Sequence, residues 1–244
     1  MNVMALALRL SGQTGKARQL ARARAYTLID VIVFLVCLGV LAAVAVLPSL
    51  AKAKCSSCRT YCGNNLKQTG LGFKCWAIDH KDKYPMQVPI SQGGTMELAT
   101  NGQAWIHFIV LSNELNTPKV LFCPEEKGKD KIPANSFGNP PVPGLVQFTN
   151  DNNLSYFVGL DANDSHPSIW LAGDANLGMH KSPLRKGLVQ VSTNEPITWH
   201  EPRHEKNRKG YILLADGSLQ SASSLEVRDF LKATGVATNR LAMT

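Results

Sequence analysis

The sequence lacks most of the marks of a nucleic-acid binder or an enzyme. Aromatic residues make up only 7% of its 244 residues. Nowhere do they interleave with a basic stripe, so a pI near 9.2 does not point to nucleic acid as a partner. No Ser/His/Asp signature, phosphate-binding glycine loop or paired-acid site stands out, and no enzyme activity is expected. A second C-x-x-C pair is missing, which argues against a four-ligand zinc site, and no internal repeat is visible. Acidic residues are absent from residues 1–25, which hold Arg9, Lys16, Arg18, Arg22 and Arg24. Of the formal charge of +8, five positive charges lie in that segment, leaving +3 for the rest.

What is present begins with one long apolar run. Leu28 to Leu47 is 20 residues with a single charge, Asp30. As a helix it would cover roughly 30 Å, the thickness of a hydrocarbon core. A basic segment ahead of such a run suits membrane insertion. A secretory signal peptide would have a shorter apolar core and a small-residue cleavage site, for which Ala42, Ala43 and Ala45 are the available residues. The full-length run favours a retained membrane helix. Asp30 is costly in a membrane at mid-depth and less so near the end, where it stands. Cleavage after Ala25 would put a new amino group on Tyr26, one helical turn from the Asp30 carboxylate.

The segment Ala25-Tyr26-Thr27-Leu28-Ile29-Asp30 resembles the processing site of type IV prepilins and type II secretion pseudopilins. That site has a small residue, an aromatic, Thr-Leu-Ile or similar, and an acid at the fifth mature position, leading into a membrane helix. The family usually has Gly where this chain has Ala25, and Glu where it has Asp30; both replacements keep the chemistry. The resemblance implies cleavage by a prepilin peptidase between Ala25 and Tyr26, N-methylation of Tyr26, and Asp30 as the acid that pairs with a neighbouring subunit's amino terminus. It implies sister pilin or pseudopilin subunits and secretion or pilus assembly machinery as partners. The location implied is the inner (cytoplasmic) membrane, crossed once, with the head exported to the periplasm or cell surface.

Beyond Pro48, which should kink or loosen the helix, the helical pattern continues. Leu50, Cys58, Cys62, Leu66, Phe73 and Trp76 or Ala77 recur on one side, predicting one helix from Tyr26 to about Ile78. The expected organisation is a leader at 1–25, a membrane helix at 26–48, its amphipathic continuation at 49–80 and a globular α+β head at 81–244. The fold class expected is pilin-like α+β, the long helix packed on a small antiparallel sheet with a C-terminal helix. In the head, Gln103–Leu115 reads as a short helix. Val120–Cys123, Leu154–Leu160 and Ile169–Gly173 read as strands, and Lys127–Gly144 as an exposed loop. Two strand-like runs flank Asp216-Gly217, a pair suited to a type I′ hairpin turn. Ser223 and Glu226 form a capping box for a last helix with Leu225, Val227, Phe230 and Leu231 on its apolar face and Gly235 at its end.

Several head segments are similar to a prepilin-type subfamily abundant in Verrucomicrobia and Planctomycetes. They include Cys62-Gly63-Asn64-Asn65-Leu66-Lys67-Gln68 followed by Tyr84-Pro85, Leu111–Leu115 with Phe122-Cys123-Pro124, Asn153–Leu160 and Ala215-Asp216-Gly217-Ser218. These segments identify a family and assign no chemistry.

Cys37 lies in the apolar run and reads as a small apolar residue. Cys55, Cys58 and Cys62 fall on one side of the helix, and with Cys75 and Cys123 they are disulfide candidates if the head is exported. Packing in the reduced state and metal binding are the alternatives. Asp161, Asn163, Asp164, Asp174 and Asn176 supply oxygens in one region and are calcium candidates, although no EF-hand spacing is present and Asn and Asp are common turn residues. His200 and His204 flank Pro202, which argues against a metalloprotease-type helix, and His204 reads as structural. The rival to a filament subunit is a pilin-anchored exported module that shows its head to a polysaccharide or a secreted protein. Exposed tryptophans and Pro-rich loops would be its working surface.

Overall fold

The computed structural model describes residues 27–126, 130–138, 143–180, 182–200 and 209–244, with the side chains of 45–57 outside the description. The chain divides into two units, Met1–Ala51 and Lys52–Thr244. Helix α1, Leu28–Asp79, has 52 residues and belongs to both. Its backbone is helical through Pro48.

The first unit contributes the apolar part of α1. Every described side chain from Thr27 to Val44 is exposed. Leu28 is 79% exposed and Val44 66%. Among the described residues no helix is long and apolar enough to cross a membrane. The described side chains of the apolar run stop at Val44, and the expected span to Leu47 reaches past them.

The second unit is α+β, built on an antiparallel six-stranded sheet. Its strands are β1 (Tyr156–Gly159), β2 (Trp170–Asp174), β5 (Gly187–Ser192), β7 (Lys209–Leu214), β8 (Leu219–Ser223) and β9 (Thr238–Met243), in the order β5-β9-β1-β2-β7-β8. A second sheet of three short strands has the order β4-β3-β6, with β3 at Leu177–Met179, β4 at Ser182–Pro183 and β6 at Ile197–Trp199. Successive side chains of a strand point to opposite faces, so the large sheet separates two apolar cores. One takes Tyr156, Val158, Leu213 and Ala242 from the sheet and packs them on Leu66, Phe73, Trp76 and Ala77 of α1. The other takes Phe157, Trp170, Ile212 and Leu241, covered by Leu177, Ile197 and Trp199 of the small sheet. Val227 and Leu231 of the last helix, Glu226–Ala233, complete that cover. Strands β1 and β2 are buried on both faces, which is why they read as unbroken apolar runs rather than alternating ones.

Several local expectations are corrected. Gln103–Leu115 holds two short helices, α2 (Trp105–Ile109) and α3 (Ser112–Leu115), rather than one. The last helix is therefore α4. Val120–Cys123 forms no strand: Pro118–Leu121 is a 3-10 turn, started by Pro118 and capped by the Thr117 side chain. The β7–β8 connection is not a type I′ turn, which needs positive φ at both central residues. Only Gly217 has positive φ there, +86°. Its N–H donates to Leu214 O at 2.9 Å, and Leu214 N–H donates to Ser218 O at 2.9 Å. That is a type I turn followed by a glycine bulge.

Ser223 and Glu226 do exchange capping-box hydrogen bonds, at 2.7 and 3.4 Å. Gly235 follows α4 with φ +73°. Leu225, assigned to the apolar face, is 86% exposed instead. Nor is α4 the final element, because β9 follows it and enters the sheet between β5 and β1. Within the Lys127–Gly144 loop, Ala134 is fully buried and Phe137 packs on the first core.

Candidate functional site

The start of α1 carries the chemistry that the sequence singled out. Ala25 and Tyr26 lie outside the described residues, and Thr27 and Asp30 lie within them. Asp30 Oδ2 accepts from the Thr27 backbone N–H and from its hydroxyl, both at 2.9 Å. The Asp30 N–H donates back to the Thr27 hydroxyl at 3.3 Å. This is a capping box with Asp in place of the usual Glu, and it ties down N–H groups that the first helical turn leaves without partners. It engages Oδ2 alone among the carboxylate oxygens, and Asp30 remains exposed. The pairing of Thr27 with Asp30 escaped the sequence reading, although Thr-x-x-acid ahead of an apolar run is its signature.

The second half of α1 is fastened to the head at defined points. Cys62, buried on the helix, forms a disulfide with Cys123, with Cα atoms 5.4 Å apart. Around it the Asn65 side-chain amide donates to Phe122 O at 3.2 Å, and the Tyr156 hydroxyl donates to Cys62 O at 3.4 Å. The Cys123 N–H donates to Ser155 Oγ at 2.9 Å. One turn earlier, Arg59 donates to Ser221 Oγ at 2.6 Å and lies 5.6 Å from the centre of the Tyr211 ring. Of the five cysteine candidates, then, Cys62 and Cys123 are joined. Cys75 is free and exposed, and the Cys55 side chain lies outside the described residues.

The calcium candidates are each engaged elsewhere. Asp161 holds Arg240 through both carboxylate oxygens: Oδ2 accepts its backbone N–H at 2.8 Å, and Oδ1 accepts Nε and Nη2 at 2.8 and 2.6 Å. Asp164 pairs with Lys74. Asp174 is buried and accepts the Tyr211 N–H at 2.8 Å. The Asn163 amide bridges Asp161 O and His166 Nδ1. Among the described residues no group of three or more His, Cys, Asp or Glu is placed to hold a metal ion. Asp161, Asn163, Asp164 and Asp174 thus each make a contact within the protein.

His200 sits beyond β6, its N–H donating to Asn176 O at 2.8 Å, and His204 lies outside the described residues. The tryptophans offer no exposed working surface: Trp76, Trp170 and Trp199 are buried and Trp105 is half-buried. The Trp199 indole N–H donates to Ala222 O at 2.9 Å, a core role.

Compared with protein families, curated proteins and solved structures, the chain matches no family model, no curated protein and no solved structure. The functional reading therefore rests on the residues themselves.

Proposed function

We propose that the chain is a membrane-anchored, pilin-like (pseudopilin) subunit. A prepilin peptidase removes residues 1–25, and Tyr26 becomes an N-methylated amino terminus. The apolar part of α1 then anchors the chain in the inner membrane and stacks against sister subunits in a pseudopilus or pilus-like filament. The observation that carries this reading is the Ala25–Asp30 segment set against the 20-residue run from Leu28 to Leu47. Two structural features support it. The described apolar side chains from Leu28 to Val44 are exposed, and exposed apolar surface of that extent calls for lipid or partner chains. The second half of α1 is built into the head by the Cys62–Cys123 bridge and the first apolar core, so the helix that anchors also carries the head. The role is structural rather than enzymatic.

The test is mass spectrometry of the mature N-terminus from cells with and without the prepilin peptidase. The expected product begins at methylated Tyr26 and is lost without the peptidase. Recovery of intact Met1 in both strains, or of a start near Ala45, overturns the proposal. The second reading, an exported binding module that keeps the pilin-type anchor, takes its support from a polar cleft at one end of the large sheet and no longer from exposed tryptophans.

A further inference from the structure

The sheet face that packs on α1 loses its apolar character at the β5–β9 end. Ala242 belongs to the first core, and Arg240 and Thr238, two and four residues earlier on β9, share its face and are exposed. Gln190 of β5, opposite Arg240 in register, is exposed beside them. These three side chains line a cleft of about 520 Å³ together with Asp161, Asn163, His166, Ile169 and Val236. That volume is within the range of about 300–1,000 Å³ typical of small-molecule sites.

The wall of the cleft is held in place by its own hydrogen bonds. Asp161 grips Arg240 at three points, as described above. The Asn163 amide nitrogen donates to Asp161 O at 3.2 Å, which leaves its carbonyl oxygen for His166 Nδ1 at 2.7 Å. A carbonyl oxygen only accepts, so Nδ1 carries a proton and donates to it, which turns Nε2 toward the cleft as a further hydrogen-bonding atom. The single acid and the single permanent base of the lining neutralise each other. An ionic ligand would therefore find no uncompensated partner. What remains is a mixture of donors and acceptors: the Gln190 amide, the Thr238 hydroxyl and His166 Nε2. Beside them lie the apolar side chains of Ile169 and Val236. A mixed set of hydrogen-bonding groups, with its acid paired to its permanent base, next to a small apolar patch matches a molecule with hydroxyls on its rim and C–H groups on its face.

We propose that this cleft binds a neutral saccharide, hydroxyls to Gln190, Thr238 and His166, and the ring's C–H face to Val236. Among the described residues no Phe, Tyr or Trp lines it, so affinity for a single sugar unit is low, as suits a surface that gains strength from many copies. The assignment does not depend on filament assembly.

Saturation-transfer NMR on the full chain, kept in a sugar-free zwitterionic detergent, tests it. Glucose, galactose and N-acetylglucosamine serve as neutral probes, with glucuronate and inorganic phosphate as anionic ones. At least one neutral sugar should receive saturation. Its affinity should fall about fivefold, the weight of one hydrogen bond, in Gln190→Ala and in His166→Ala. Lys119→Ala, an exposed site outside the cleft, should leave it unchanged. The proposal is overturned if no neutral sugar binds, if only glucuronate or phosphate binds, or if both cleft variants bind as the parent does.

Discussion

Cys62, in the second half of α1, and Cys123, just past the turn Pro118–Leu121, are joined by a disulfide that spans 61 residues of sequence. Both residues are buried, at 1% and 0% exposure. The link closes a long loop in the unfolded chain, and loops of that length gain most from closure. The double variant Cys62→Ala/Cys123→Ala should lose about 2–4 kcal/mol of stability in urea denaturation. A single variant should behave like the double one, since either removes the bridge. An unchanged midpoint in both would show that the bridge contributes nothing.

His107 is fully buried in α2, next to the apolar core. Thr95 Oγ1 meets its Nδ1 at 2.7 Å, and Nε2 has no partner among the described residues. Burial pushes its pKa down to about 4 from 6.5. The unfolded chain therefore takes up a proton near 6.5 while the folded chain resists until about 4. Stability contributed by the neutral ring is present above 6.5 and falls as pH drops toward 4, by up to about 3 kcal/mol. His107→Gln keeps a polar partner for Thr95 and removes the titration. Its urea midpoint should fall less than the parent's between about pH 7 and about pH 5. Equal slopes in the two proteins would rule out His107 as the source.

Two glycines of the second unit should respond oppositely in severity to alanine. A Cβ on Gly159 of β1 would lie 1.8 Å from Trp170 O, a backbone atom held in the neighbouring strand β2. Nothing there can give way cheaply, so Gly159→Ala should lose about 3 kcal/mol or more. On Gly70 of α1 the new atom would lie 2.8 Å from Leu213 Cδ1, the far end of a flexible side chain. There the helix gains up to about 1 kcal/mol from replacing glycine, offsetting much of the crowding. Gly70→Ala should therefore stay within about 1 kcal/mol of the parent. Thermal melts of both variants decide it, and equal losses would contradict the argument.

How much of this was legible in the sequence follows the range of the interactions. The long helix showed in the spacing of Cys62, Leu66, Phe73 and Trp76, and all four prove buried. The Ser223–Glu226 box and the stop at Gly235 showed because capping is settled within a few residues. Strand β9 did not show. Thr238-Asn239-Arg240 places polar residues at its start, and its partners Val158 and Gly187–Ser192 are far away in sequence. The strands of the small sheet escaped because they hold only 3, 2 and 3 residues, too few to show an alternation. Val120–Cys123 misled because an apolar run of that length suits a strand or a turn equally, and Pro118 decided for the turn. Cysteine spacing named Cys62 and Cys123 as candidates, but connectivity is set by the fold. The cleft was unreadable, since its lining comes from three separate segments, and the residues suspected of holding calcium there proved to be paired with Arg240 and His166.

Thr27 and Asp30 give the assembly proposal its sharpest test, because the capping box assigns the same carboxylate a second, local job. If Asp30 served only to start α1, Asp30→Asn would keep an oxygen for the Thr27 N–H and hydroxyl and should be nearly silent. If it also pairs with a neighbour's Tyr26 amine, the loss of charge removes that pairing. Asp30→Asn should then insert in the membrane as the parent does yet drop out of the sheared-filament fraction. Thr27→Val breaks the box but spares the charge, so it should lower incorporation less than Asp30→Asn does. Quantitative immunoblots of membrane and filament fractions separate these outcomes. Equal incorporation of Asp30→Asn and the parent would reduce Asp30 to a helix cap.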